Sequence, residues 1–176
     1  MPAARRLSAI LVAAAMTLGG CGGAARDDAP PAKIESKADY IKAGDKICHD
    51  RDDRSLKLAK SSDNKGNVAE LTGELADIYT DAIARQRALA LPPGSARVGA
   101  RRYVKSVVAM SRPVARMKAA ADALAKADDD ATVKTAAAKL QSNVNTVQSI
   151  GDLADQEART YGFKVCGQQQ AQNTVA

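Results

Sequence analysis

The sequence predicts an all-α protein, an antiparallel up-down-up-down four-helix bundle with one disulfide joining helix 1 to the C-terminal tail. Three observations point there. Apolar residues recur at three- and four-residue steps along several segments, and β-branched alternation is hard to find anywhere. Aromatics are scarce, with four Tyr, one Phe and no Trp, so Ala, Val and Leu must fill the core, which suits closely spaced helices better than a sheet sandwich. Two cysteines, Cys48 and Cys166, stand near opposite ends of the helical region, where an antiparallel bundle sets the start of the first helix beside the end of the last.

Helix 1 is expected to open at Ser36, with Asp39 favouring the positive helix start. Tyr40, Ile41, Gly44, Ile47 and Cys48 share one face. Beyond Cys48 the pattern is interrupted by Asp50, Arg51, Asp52, Asp53 and Arg54, which leaves the end of this helix open; residues 61–66 read as a loop. Asn67 caps helix 2, and Val68, Leu71, Leu75, Ile78, Ala82 and Leu89 form its expected seam. Arg85 falls in the same register and is expected to snorkel outward. Leu91-Pro92-Pro93-Gly94 ends helix 2 and leaves a short connection, which makes helices 2 and 3 antiparallel neighbours. Helix 3 carries Tyr103, Val107, Met110, Val114, Met117, Ala121 and Leu124. Pro113 lies inside it, removes the amide that would bond to Ala109, and is expected to bend the helix around the core; a ligand groove at the bend is the alternative. Asp128-Asp129-Asp130 makes the next turn, and Asp129 or Asp130 can cap helix 4. Helix 4 follows with Val133, Ala137, Leu140, Val144, Val147, Gly151, Ala154, Ala158 and Tyr161, and Gly162 is a natural left-handed stop. A short tail carrying Phe163 then folds back over the bundle end to reach Cys166.

Ahead of the helices, Arg5 and Arg6 precede a largely apolar run of about 12 residues, long enough for a signal segment and too short to span a bilayer. The run closes in Leu18-Gly19-Gly20-Cys21. These residues resemble a bacterial lipobox, and the resemblance implies a mature chain that starts at a lipid-modified Cys21. The expected organisation is therefore a signal peptide at 1–20, a lipidated flexible tether at 21–35 rich in Gly, Pro and charge, the bundle at 36–167, and a disordered tail at 168–176. With Cys21 taken by lipid, Cys48 and Cys166 remain. In an exported chain a lone pair of thiols most often forms a disulfide, and a reactive or metal-binding cysteine is the alternative.

Catalytic chemistry finds little footing. His49 is the single histidine, and no c-type haem, zinc or di-iron spacing surrounds it. No nucleophile elbow or glycine-rich phosphate loop is present. No catalytic residue, metal ligand or cofactor is assigned.

The arrangement of charge is more informative than its net value of +6. Glu70, Glu74, Asp77 and Asp81 fall on one narrow stripe of helix 2 and are expected to pair with a neighbouring helix, helix 3 being the candidate. From Ala82 through Ala121 there is no acidic residue. Within that stretch Arg97, Arg101, Arg102, Lys105, Arg112 and Arg116 occupy an arc of about 140° opposite the helix 3 seam, taking 100° per residue. This arc is the candidate interaction face, and a plain solvated surface is the alternative. For an anchored protein the nearest polyanions are anionic lipid and acidic wall polymer; export argues against nucleic acid.

The residues Leu18-Gly19-Gly20-Cys21, Ala38-Asp39-Tyr40-Ile41 leading to Ile47-Cys48, Leu91-Pro92-Pro93, and Tyr161-Gly162-Phe163 ending at Cys166-Gly167 resemble those of small, alanine-rich actinobacterial lipoproteins of unknown function. The resemblance implies a disulfide-tied helical domain anchored outside the membrane and carries no activity. The expectation is a non-enzymatic module on the outer face of the bacterial cytoplasmic membrane, held by lipid on Cys21, that binds anionic lipid, wall polymer or an envelope protein. A carrier of small apolar ligands comes next and an enzyme third. The discriminating feature between the first two is whether the core is solid or hollow.

Overall fold

The computed structural model describes residues 33–61 and 67–168. Cys21, the expected signal segment, most of the expected tether and the tail beyond Gln168 lie outside the described residues. Among those described, all regular structure is helical: α1 (Lys37–Ser61), α2 (Val68–Ala88), α3 (Ala96–Ala109), α4 (Ser111–Ala125) and α5 (Asp130–Tyr161). The helix ends follow local chemistry. Ser36 Oγ accepts the Asp39 amide at 3.1 Å and donates to the Asp39 carboxylate at 2.7 Å, and the second of these bonds holds that carboxyl below its ordinary pKa. Asn67 accepts from the Ala69 amide. Asp129 caps α5 in a full capping box with Thr132, and Gly162 ends α5 at φ 111°, a left-handed conformation that favours glycine.

One boundary that the sequence leaves open is now defined, and one expected element is divided. Helix 1 continues unbroken through Asp50–Arg54 to Ser61, because these charged side chains find partners (Asp50 and Arg54 on α2, Arg51 against Tyr79) and none of them breaks the backbone ladder. The expected single helix 3 is two segments, α3 and α4, joined at Met110. The break sits three residues before Pro113. This is where the proline ring would crowd the Ala109 carbonyl and where its missing N–H leaves that carbonyl without its ladder bond. Met110 keeps φ −71° and ψ −21°, and the Val114 amide resumes the ladder by donating to Met110 O at 2.9 Å.

The core runs along α4, which packs against both α2 and α5, while α3 packs on α5 and α1 on α2. Tyr103, Val107, Met110, Val114, Met117 and Ala121 are all buried as expected, and so is Pro113. On α2 the buried line is Ala69, Ala76, Ile78, Ala82, Ile83 and Gln86. Val68, assigned to the seam by spacing, is 61 % exposed, and Leu71 and Leu75 are only half-buried. Ala69 and Ala76 lie deep, at 2 % and 0 % exposed, beside the half-buried leucines. On α5, Val133 and Ala137 are likewise exposed, and burial begins at Leu140.

One end of the molecule is closed by aromatic rings. Phe163 is buried, with its ring centroid 4.4 Å from that of Tyr103, 5.5 Å from Tyr161 and 5.9 Å from Tyr40. Tyr40 and Tyr161 meet edge to face at 5.7 Å. Edge-to-face and tilted pairs of this kind add stability beyond the area they bury. Cys48 and Cys166 form a disulfide beside this cluster. Asp45 fixes the tail, accepting from the backbone amides of Lys164 at 2.9 Å, Val165 at 2.8 Å and Cys166 at 3.2 Å. Arg159 Nη1 donates to Gly167 O at 2.7 Å.

Candidate functional site

Half of the acidic stripe of α2 is paired, on two sides, while Glu70 and Glu74 make no ion pair among the described residues. Asp77 pairs with Lys118 of α4, and Asp81 pairs with Arg54 of α1, with Arg85 one turn along its own helix 3.8 Å away. Arg85 in turn pairs with Asp50 of α1, so it is held in a bridge between helices. The expectation that helix 2's carboxylates reach helix 3 is met through Lys118 alone, which sits in α4 and outside the predicted arc.

The arc itself is left to solvent. Arg97, Arg101, Arg102 and Lys105 on α3, and Arg112 and Arg116 on α4, are all exposed. None of the six side chains makes an ion pair among the described residues. The buried faces of the same helices explain the direction. Tyr103 and Val107, then Val114 and Met117, turn inward, which places residues half a turn away on the outside. Uncompensated like charges at this density repel one another and concentrate counter-anions at the surface. The arrangement can attract a polyanion; it holds no nucleophile or acid–base pair.

Two open grooves flank α4. One of about 400 Å³ lies between α2 and α4, lined by Ala69, Gly73, Ala121 and Ala125 with Glu70, Glu74, Asp77 and Asp122. The other, of about 240 Å³, lies between α4 and α5 and is lined by Arg116, Ala119, Ala120, Ala123, Lys139, Ser142 and Asn143. Neither opens into the seam beside Pro113, where Val114 and Met117 are 0 % and 3 % exposed. His49 is exposed, with Nδ1 3.3 Å from the Asp53 carboxylate. Among the described residues no group of three or more His, Cys, Asp or Glu side chains is placed to hold a metal ion, and no helix is long and apolar enough to cross a membrane.

One buried polar side chain that no sequence motif marks, Gln86, lies beside the disulfide, and other polar groups are buried on α1 and α5. Gln86 is 2 % exposed; its Nε2 donates to Gly44 O at 2.9 Å and lies 3.5 Å and 3.6 Å from the sulfurs of Cys48 and Cys166. Its position, three and four residues after Ile83 and Ala82, is the one sequence signal that it faces inward. Arg51 stacks on Tyr79 with its guanidinium carbon 5.5 Å from the ring centroid, and its Nε donates to Asp52 at 2.8 Å. Burial pushes the Asp155 carboxyl up to about 6, against the opposing pull of Arg51 and Arg159. Burial also pushes the Tyr40 phenol up to about 12 and raises Tyr103 as well, so both hydroxyls stay neutral across ordinary pH.

No protein-family model, curated protein or solved structure matches the chain.

Proposed function

We propose that this protein is a non-enzymatic, lipid-anchored module of the outer face of the bacterial cytoplasmic membrane, and that the basic arc of α3 and α4 binds a polyanion of the cell envelope. One observation carries the reading: six exposed cations, supplied by consecutive helices, with no carboxylate partner among the described residues. The lipobox-like Leu18-Gly19-Gly20-Cys21 supports the anchor and the compartment. Against the carrier alternative stands the filled seam at Met110, Val114 and Met117. The same reading takes the helical rods as up-down-up-down, with α3–α4 as one rod. Supporting it, a Cβ on Gly99 would lie 2.6 Å from the Tyr161 ring and one on Gly151 3.8 Å from Met110 Cε, while Asn143 donates to Arg116 O at 3.4 Å. Positions rising along α3 and α4 thus meet positions falling along α5. Cys48–Cys166 then ties helix 1 to the tail.

Membrane fractionation tests anchor and arc together. The wild-type chain should stay on membranes through a high-salt wash, because acyl chains hold it. Cys21→Ser should bind weakly at low salt and come off at high salt, since screening shortens electrostatic reach. Adding Arg101→Gln, Lys105→Gln and Arg112→Gln to Cys21→Ser should abolish the low-salt association. A Cys21→Ser chain that resists the high-salt wash defeats the anchor, and a triple variant that still associates defeats the arc.

A further inference from the structure

The basic arc does not end on a bare helix surface. Taking 100° per residue, Ala119 and Ala123 continue the line of Arg112 and Arg116 along the outside of α4, and this line forms one wall of the 240 Å³ groove against α5. The opposite wall carries Lys139, Ser142 and Asn143 at helical spacings of three and four, so the three lie on one side of α5. The two walls are joined across the groove by Asn143, whose Nδ2 donates both to Lys139 O of its own helix at 3.0 Å and to Arg116 O of α4 at 3.4 Å. That leaves the Asn143 carbonyl oxygen as an acceptor and the Ser142 hydroxyl as donor and acceptor at the groove. No acidic residue lines it, whereas the groove on the other side of α4 has four. Neither Arg116 nor Lys139 has an ion-pair partner among the described residues.

A guanidinium and an ammonium supplied by facing helices can take two oxygens of one phosphate. An alanine floor accepts a short carbon chain without steric obstruction. A hydroxyl and an amide beside them suit the hydroxyl groups of that chain. From this we propose that the α4–α5 groove is a seat for a phosphodiester-linked polyol, with the phosphate between Arg116 and Lys139 and the polyol on Ala119 and Ala123, against Ser142 and Asn143. The inference rests on the arc reading for its setting, since the arc would deliver a polyanion to the groove, and it adds a defined subsite to what is otherwise diffuse attraction. A glycerol-phosphate wall polymer and a phosphatidylglycerol headgroup share this chemistry.

The test titrates full-length Cys21→Ser with soluble glycerophosphoglycerol, following side-chain amide resonances by NMR. Saturable shifts at Asn143 are expected, with free glycerol giving none. Arg116→Gln with Lys139→Gln should weaken binding about tenfold or more, the loss of charge-assisted bonds to one phosphate. Ala123→Leu, which fills the groove and changes no charge, should weaken it comparably; because Ala123 is exposed, the fold is expected to survive. Wild-type affinity in Ala123→Leu, or shifts confined to α3 with Asn143 unmoved, overturns the seat. Competition assigns the source: displacement by soluble poly(glycerol phosphate) but not by phosphatidylglycerol vesicles points to the wall polymer, and the reverse to lipid; displacement by neither overturns the proposal. The Arg101, Lys105 and Arg112 triple variant separates the two readings. If it binds long polymer as well as wild type while the short ligand still saturates at Asn143, the arc fails and the seat stands. If long polymer binds through the arc but the short ligand does not bind, the seat fails alone.

Discussion

Gly44 and Phe163 should be coupled strongly enough for one substitution to change sign. Alanine in place of glycine inside a helix normally stabilises it by about 1 kcal/mol. Gly44 lies within α1, but a Cβ there would overlap Phe163 Cε1 and fall 3.1 Å from its Cζ and 3.3 Å from Gln86 Oε1. The Phe163 ring is 4 % exposed and surrounded by three tyrosines, so it cannot swing clear without disturbing the cluster. Overpacking of this kind costs about 1–3 kcal/mol, which leaves Gly44→Ala destabilising by roughly 1 kcal/mol once the helical gain is subtracted. Phe163→Ala alone should cost about 3–5 kcal/mol. In that background the obstacle is gone, and Gly44→Ala should stabilise by up to about 1 kcal/mol, giving a coupling of roughly 2 kcal/mol. Urea unfolding of the four proteins with the disulfide intact measures the cycle. Equal effects of Gly44→Ala in both backgrounds, or stabilisation in the wild type, would refute the packing argument.

The remaining predictions concern the same end of the molecule. Asp45→Ala strips three backbone amides of the tail of their acceptor and should destabilise by about 2–4 kcal/mol, seen as rapid amide exchange at residues 164–166; protection equal to wild type would remove Asp45 from the tail's anchoring. Reducing the Cys48–Cys166 bond, which spans a sequence separation of 118, should lower stability by about 4–5 kcal/mol in the chain-entropy model, with helicity largely kept and α1 exchanging first; an unchanged melting temperature would contradict this. Asp155 has a raised carboxyl pKa of about 6, so the folded state holds its proton more tightly than the unfolded chain does. The contribution is therefore unfavourable above pH 6 and fades as pH falls toward the ordinary carboxylate range. Asp155→Asn should raise the melting temperature at pH 7 and flatten its dependence between pH 4 and 7; a variant that melts lower at pH 7 would show that the ionised carboxylate, attracted by Arg51 and Arg159, is stabilising.

How much of this was legible in the sequence depended on side-chain size. The α3–α4 seam was readable because Val107, Met110, Val114 and Met117 are large apolar residues whose spacing admits one buried face. The α2 seam was legible in its second half, at Ile78 and Ala82, and missed at Ala69 and Ala76, because spacing favoured Val68, Leu71 and Leu75 and alanines carry almost no periodic signal in an alanine-rich chain. Val68 and Val133 each lie in the first turn of their helices, where a helix has neighbours on fewer sides. The closing of the other end by Phe163 was legible from Gly162 and the cysteine pair. Its detailed fastening was not, because Asp45 and Gln86 act on groups about 119 and 80 residues away in sequence, and no local pattern encodes such contacts. The exposed arc was legible since it needed only a helix period and the absence of acids. The α4–α5 groove was not, because it depends on which face of α5 meets α4.

The central claim, that the arc of α3 and α4 binds polyanions, is tested most directly by vesicle binding of purified Cys21→Ser with and without Arg101→Gln, Lys105→Gln and Arg112→Gln. On phosphatidylglycerol-rich vesicles the parent should bind with an affinity that falls steeply as salt rises, and the triple variant should bind several-fold more weakly with a shallower salt dependence. Its melting temperature should stay within about 2 °C of the parent, as for exposed changes that break no pairing. Equal binding by parent and variant at every salt concentration, or a variant that melts far lower, would contradict the account: the first result leaves the arc merely solvated, and the second makes its arginines part of the fold.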